Sequence, residues 1–321
     1  MEKVFDVTAI GELLIDFTEN GLSSQGNPLL EANPGGAPCN VLAMLNNLGK
    51  KTSFIGKVGD DQFGRMLKNT LVELGIGTGN LLLDKVVHTT LAFVHTAEDG
   101  DRDFSFYRKP GADMMLEPSE VQEDLIAGSR ILHFGTLSLT DEPVRSATQK
   151  ALEYAEKHGV MVTFDPNLRP PLWNNLQEAK EQIWFGLSKC SAVKMSEEEL
   201  EFITGERSLD RGVEAVQNRF DIPLICITMG KKGSRAYHGD TAVERAGFVQ
   251  AHTIETTGAG DTFCAGMLNY ILDHGLENLT EENLKDMLTF ANGAASIITT
   301  RKGALRVMPA VEEVHRLIDG K

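Results

Sequence analysis

Cysteine pairs, closely spaced histidines and long apolar runs are all missing from this chain. Its four cysteines, Cys39, Cys190, Cys226 and Cys264, are scattered and form no C-x-x-C. A disulfide framework and a structural zinc site are thereby disfavoured, and reduced thiols in the cytoplasm are expected. The eight histidines show no H-x-x-x-H or H-E-x-x-H spacing, which argues against a transition-metal enzyme. No apolar run approaches the roughly 20 residues that cross a bilayer. The opening MEKVFDVTAIGELLIDF carries acids inside its apolar stretch and reads as a strand, not a secretory signal. Basic residues are also in short supply, 31 against 46 acids, giving a net charge of -15. Nucleic acid and anionic membranes are therefore not expected partners. Two phosphate fingerprints are absent as well. There is no G-x-x-x-x-G-K-[ST], and GIGTGN (75–80) ends in asparagine and reads as a turn closing a helix.

What remains is an ordinary globular composition, 41% hydrophobic and 24% charged, in 321 residues. Short β-branched runs at 4–10, 52–58, 130–136, 160–165 and 223–229 read as buried strands. Amphipathic stretches at 40–49, 63–75 and 141–159 read as helices between them. This alternation predicts a mostly parallel sheet covered on both faces, a three-layer αβα sandwich. Segments 12–33 and 86–113 depart from it. The alternating TTLAFVHTAEDGDRDFSFYR, with EDGD as its turn, predicts an antiparallel hairpin. Together the two segments are expected to form a small β-lid on a single domain spanning 1–321. If Leu91, Phe93 and Phe104 share one apolar face of it, a homodimer through the lid follows.

Four stretches carry chemistry. In TTGAGDTF, the amides of Gly258, Ala259 and Gly260 at a helix start would cradle negative charge. Asp261 behind them is either a first-turn carboxylate favoured by the helix dipole or a general base for phosphoryl transfer to a hydroxyl. In NPGGAPCNVL, Gly35 and Gly36 let backbone approach a ligand, and Asn40 offers a donor and an acceptor to sugar hydroxyls, unless the pair is only a turn. Asp16, in GELLIDF, is either an edge-strand charge or an acceptor for two hydroxyls. FDPNLRPPLW follows a strand, where α/β sites gather, and Arg169 there could hold a phosphate or a substrate hydroxyl.

With these residues in view, the chain resembles the ribokinase-like carbohydrate kinase superfamily, and most closely its bacterial fructokinases. GELLIDF, PGGAPCNV, KVGDDQFG (57–64), FYRKPGADMML (106–116), DPNLRP, KMSEEELEFITG (194–205), ITMGKKG (227–233) and TTGAGDTF are similar to its patterns and in its order. The resemblance implies transfer of the γ-phosphate of ATP to the terminal hydroxyl of a ketohexose, D-fructose to fructose 6-phosphate. It makes Asp261 the base and the 258–260 amides the anion hole, with sugar bound by Asp16, Gly35, Gly36, Asn40, Arg108 and Arg169. ATP is expected along Lys194, Thr228, Gly230 and Gly233, with Asn292 near the adenine. Glu199 is expected to act through Mg²⁺ and its waters. Two departures stand out: Ser196 replaces the asparagine of the N-x-x-E element, and Glu255 replaces an aspartate. The resemblance also implies a K⁺ site from Glu255, Thr257, Thr299, Lys302 and Gly303. The other reading of Glu255 is a solvated strand-end charge. Two alternatives remain, a 2-keto-3-deoxygluconate kinase and a non-catalytic sugar-binding regulator.

Overall fold

The computed structural model describes residues 3–96 and 102–320, leaving out side chains between 95 and 104. Nine strands form the central sheet. They are β1 (Phe5–Ile10), β4 (Thr52–Gly59), β5 (Gly77–Asp84), β8 (Ser129–Gly135), β9 (Met161–Asp165), β10 (Ala192–Ser196), β11 (Leu224–Thr228), β12 (Ser234–His238) and β13 (Thr241–Arg245). Their spatial order is β13-β12-β11-β10-β9-β8-β1-β4-β5. From β11 to β5 every pairing is parallel, and β12 and β13 close one edge antiparallel. The inner parallel strands are dominated by buried apolar residues such as Ile10, Ile55, Phe134, Phe164 and Ile225, because both faces are covered.

On one face lie α1 (Ala37–Asn47), α2 (Gln62–Glu73), α8 (Ala259–His274), α9 (Glu281–Ile298) and α10 (Val311–Ile318). They pack through side chains such as Leu42, Leu67, Phe263, Leu288 and Val314. The other face carries α3 (Glu123–Ala127), α4 (Val144–Lys157), α5 (Leu176–Leu187), α6 (Glu197–Thr204) and α7 (Leu209–Gln217), packed through Ile126, Leu152, Ile183, Leu200 and Val213. Each such buried side chain contributes about 1.5–3 kcal/mol over leaving it in water. This is the three-layer sandwich that the alternation predicts.

Four strands of the sheet, β5, β10, β12 and β13, depart from the sequence expectation. Only Gly75 of GIGTGN is a turn residue (φ 75°); from Gly77 the chain is β5, paired with β4. Gly77 lies where a Cβ would meet Ser53 Oγ at 3.0 Å, so this glycine serves strand approach instead of chain reversal. Strands β10, β12 and β13 lie outside the sequence expectation because AVKMS, SRAYH and TAVER are interrupted by charged side chains, unlike the equally short LICIT of β11.

The lid is a second sheet of β2 (Leu14–Leu22), β3 (Pro28–Gly35), β6 (Leu91–Thr96) and β7 (Arg102–Tyr107), in the order β3-β2-β6-β7. Two antiparallel hairpins are joined by a parallel β2–β6 pairing, so Asp16 sits on an inner strand and not on an edge. Phe17 and Phe93 stack at 5.0 Å, and Phe17 meets Phe63 of α2 edge-on at 5.6 Å, which seats the lid on the main body. The EDGD turn lies outside the described residues. The side chain of Phe104 also lies outside the described residues, while Leu91 and Phe93 alternate onto one face of β6.

Candidate active site

The chain enters the sheet at β1 and winds first toward β5 and later toward β13, so the strand order reverses between β1 and β8. Parallel strands around such a switch point leave a crevice at their carboxyl ends. Glu12 follows β1, Asp165 ends β9, and Lys194 and Thr228 come from β10 and β11. Three cavities meet here. One of about 340 Å³ is lined by Asp16, Asn40, Phe106, Arg169 and Asp261. A second, of about 250 Å³, runs under Thr228, Gly233, Phe248 and Asn292. The third, of about 660 Å³, lies over Lys194, Glu199 and Arg169. Gly260 and Thr256 border all three.

Asp261 is in the first turn of α8 and only 8% exposed. Its Oδ2 accepts from Asn40 Nδ2 at 2.8 Å. Burial pushes its pKa up to about 6 and the Asp165 charge adds to this, while the Asn40 bond, Lys194 and Arg169 oppose it. Asn40 Oδ1 is buried without a hydrogen-bond partner among the described residues, an acceptor beside the carboxylate that suits a ligand hydroxyl. The neighbouring His133 has its pKa pushed down to about 4 by burial, and its Nδ1 pairs with Thr163 Oγ1 at 3.1 Å.

The glycine pair ahead of α1 is shaped by close contacts. Gly36 has φ 130°, and a Cβ there would sit 2.5 Å from the Glu12 carbonyl oxygen. At Gly35 a Cβ would meet Asp16 Oδ2 at 2.3 Å. Glu12 Oε1 accepts from the Ala37 amide at 2.7 Å and so fixes the start of α1. Burial raises both Glu12 and Asp16 to about 7. For Asp16, Arg169 opposes the shift, whereas Glu255 and Asp261 reinforce it.

At the anion cradle the expectation narrows. The Ala259 amide donates to the Thr256 carbonyl at 3.2 Å to make the turn, leaving the Gly258 and Gly260 amides for a ligand. Lys194 lies against this cradle, since a Cβ on Gly260 would fall 2.8 Å from its Nζ. Its ammonium is paired with Asp165 at 3.1 Å, both nearly buried. Burial pulls the Lys194 pKa down, but Asp165 and then Glu199 more than offset it and hold the group cationic. Glu199 Oε1 accepts from the Leu168 amide at 2.8 Å, and Oε2 from the Ser196 amide at 2.8 Å, in a capping box on α6. Ser196 is thus the helix N-cap, a role that asparagine would also fill.

Of the two arginines, only Arg169 faces the cavities. Arg108 is buried away from them, donating to Asp113 at 2.7 Å, Thr140 at 3.0 Å and the Leu137 carbonyl at 2.9 Å. It holds the lid's return loop and does not line the 340 Å³ cavity. On the nucleotide side, Gly230 (φ 56°) and Gly233 (φ 113°) line the 250 Å³ cavity, and a Cβ on Gly233 would sit 2.0 Å from the Arg245 carbonyl oxygen. Asn292 lines it too. Its Oδ1 accepts from Ser234 Oγ at 2.9 Å and its Nδ2 donates to the carbonyls of Arg245 and Ala246.

Glu255 is 7% exposed, in a segment without strand structure, so it is not a solvated strand end. Its Oε1 reaches the Gly303 amide at 2.9 Å, and the Thr299 carbonyl accepts from the amides of Ile254 and Glu255. The extra methylene is absorbed by this fold-back between the two loops. Thr257 lines the cavity holding Asp16, whereas the Lys302 ammonium extends to Asn20 Oδ1 of the lid at 3.4 Å. Glu12 and Asp165 were missed as site residues; one was quoted within GELLIDF and the other read as part of a turn.

Fold and crevice together define a ribokinase-like sugar kinase. The model of the pfkB family of carbohydrate kinases matches residues 4–311, and the chain belongs to that family. It is 41% identical over 306 residues to probable fructokinase-2 of Arabidopsis thaliana, covering 94% of this chain and 92% of the relative. A fructokinase from Xylella fastidiosa solved with bound ATP superposes with a TM-score of 0.90 at 30% identity, over 100% and 99% of the two chains. A fructokinase double mutant from Vibrio cholerae O395, bound to fructose, ADP and a potassium ion, gives 0.87 at 31% identity, over 99% of each chain.

Proposed function

We propose that this chain is an ATP-dependent fructokinase that converts D-fructose to fructose 6-phosphate, with Asp261 as its general base. The observation that carries this is Asp261 itself: a buried carboxylate, oriented by Asn40, where the cavity holding Asp16 meets the Gly260 cradle. The sugar's 6-hydroxyl oxygen bonds to the γ-phosphorus as the bond to the β–γ bridging oxygen breaks. Asp261 takes the hydroxyl proton, and its raised pKa makes it a better acceptor than an ordinary aspartate. The Gly258 and Gly260 amides, Lys194 and Arg169 meet the charge on the transferring group. Asn40 Oδ1 and Asp16 accept sugar hydroxyls.

Mg²⁺ would neutralise phosphate charge. Glu199 fits water-mediated contact with it, because each carboxylate oxygen already accepts one amide and keeps a further lone pair. The buried Glu255 carboxylate between the 255 and 303 loops fits a K⁺ ion behind the cradle. Glu12, Asp16 and Asp261 around the sugar cavity suit a neutral sugar better than a keto acid, whose carboxylate would face them. A sensor would need neither the base nor the lysine beside the cradle. Four unpaired thiols fit a reducing cytoplasm, and no described helix is long and apolar enough to cross a membrane. Exposed Leu22, Leu29, Leu30 and Tyr107 on the lid support a homodimer, which light scattering would test.

The test of the assignment is Asp261→Asn. With Mg²⁺-ATP its turnover of fructose should fall by roughly 10²–10⁴-fold, with fructose binding by calorimetry largely kept. Near-normal turnover would reduce Asp261 to a helix-start charge.

A further inference from the structure

The 250 Å³ cavity has two ends. Thr228, Gly230, Thr256 and Gly260 also border the cavity over Lys194 and mark the phosphate end. Phe248, Val249, Gln250, Ala295 and Ser296 border this cavity alone, and their apolar walls suit a planar base. Most polar side chains along it are already engaged within the protein. Asn292 uses its oxygen and its amide protons on Ser234, Arg245 and Ala246. Thr299 donates to the Ser296 carbonyl at 2.7 Å, and Thr228 to the Met195 carbonyl at 3.4 Å. Thr253 offers a hydroxyl that donates or accepts alike, and Lys231 is an exposed ammonium on a flexible stem. The Thr253 hydroxyl therefore cannot tell an amino group from a carbonyl, and Lys231, a donor only, cannot account for a preference for an amino group.

Gln250 is different. Its Nε2 donates to Ser296 Oγ at 3.0 Å, and Ser296 Oγ in turn donates its proton to the Gly293 carbonyl at 3.0 Å. A serine hydroxyl has one proton, so Ser296 can only accept from Gln250. That fixes the amide's orientation and leaves Oε1 as an acceptor that makes no hydrogen bond among the described residues. We infer that Gln250 is the residue that reads the donor's base: its Oε1 accepts from the exocyclic amine of adenine and repels the carbonyl oxygen of hypoxanthine or guanine. The inference rests on the nucleotide reading of this cavity and names the specificity determinant within it.

The experiment compares kcat/KM for ATP, ITP and GTP at fixed fructose in the wild-type chain, Gln250→Met and Ser296→Ala. Wild type should favour ATP over ITP and GTP by about tenfold or more, the worth of one net hydrogen bond. Gln250→Met should bring the ratios to within about threefold through KM for the donor, leaving KM for fructose unchanged. Ser296→Ala, which releases the amide from its fixed orientation, should fall between the two. A wild type indifferent to the base, or a preference that survives Gln250→Met, overturns the assignment. Should no sugar accept phosphate from any donor, the kinase reading fails on its own. The Gln250 assignment is then decided by ADP and IDP affinities of the same three proteins in calorimetry, with the same two outcomes.

Discussion

The site works by placing single groups against their solution preferences. Asp16 shows this in its pH behaviour. Its pKa rises from 3.8 to about 7, mainly through burial, so the folded chain holds the proton more tightly than the unfolded one. Stability from that proton is complete below about pH 4 and is lost as the pH climbs to about 7. Asp16→Asn has no proton to lose. In urea unfolding of the ligand-free protein, its stability relative to wild type should therefore improve between about pH 4.5 and 7 and stay level above that. A difference that does not change with pH would mean Asp16 titrates as it does in water. The same substitution should raise KM for fructose if the carboxylate is the hydroxyl acceptor proposed above, and an unchanged KM would count against that role. Function here is set against stability in one side chain.

Secondary-structure elements carry these groups by their ends. Helix α6 is tied at its start by Ser196 and Glu199, and Glu199 also holds the Leu168 amide, so one helix end braces the loop bearing Arg169. Ser196→Ala should cost about 1 kcal/mol of stability in denaturant unfolding, with little change in kcat. At the end of α9, Glu255 and Gly303 join two loops around the proposed K⁺ position. Activity at constant ionic strength should be greater in K⁺ than in Na⁺, and Glu255→Ala should lose the difference; equal rates in both salts would count against a cation there. The long helices and the strongly β-branched strands were legible in sequence because their periodicities repeat. Asp261, Asn40 and Arg169 were legible because they sit beside glycine or proline motifs. Arg108 was misplaced because a buried pairing with Asp113 leaves no trace in spacing. Glu12, Asp165 and Gln250 were missed for the same reason: their roles arise from partners far away in the chain.

At the scale of the molecule, Arg169 borders both the sugar cavity and the cavity over Lys194. Arg169→Ala should therefore raise KM for fructose and for ATP together in steady-state kinetics, and a change in only one would confine the side chain to that substrate. The sheet order has a further outcome, for the growing chain on the ribosome. Strand β1 is made first yet lies between β4 and β8, so one of its sides stays bare until residue 135 has been made. Asp16 and Asn40 wait longer still for Asp261, which arrives in the last fifth of the chain. An unfinished chain exposes apolar strand edges and has no catalytic competence, so early release yields aggregate and never a partly active enzyme.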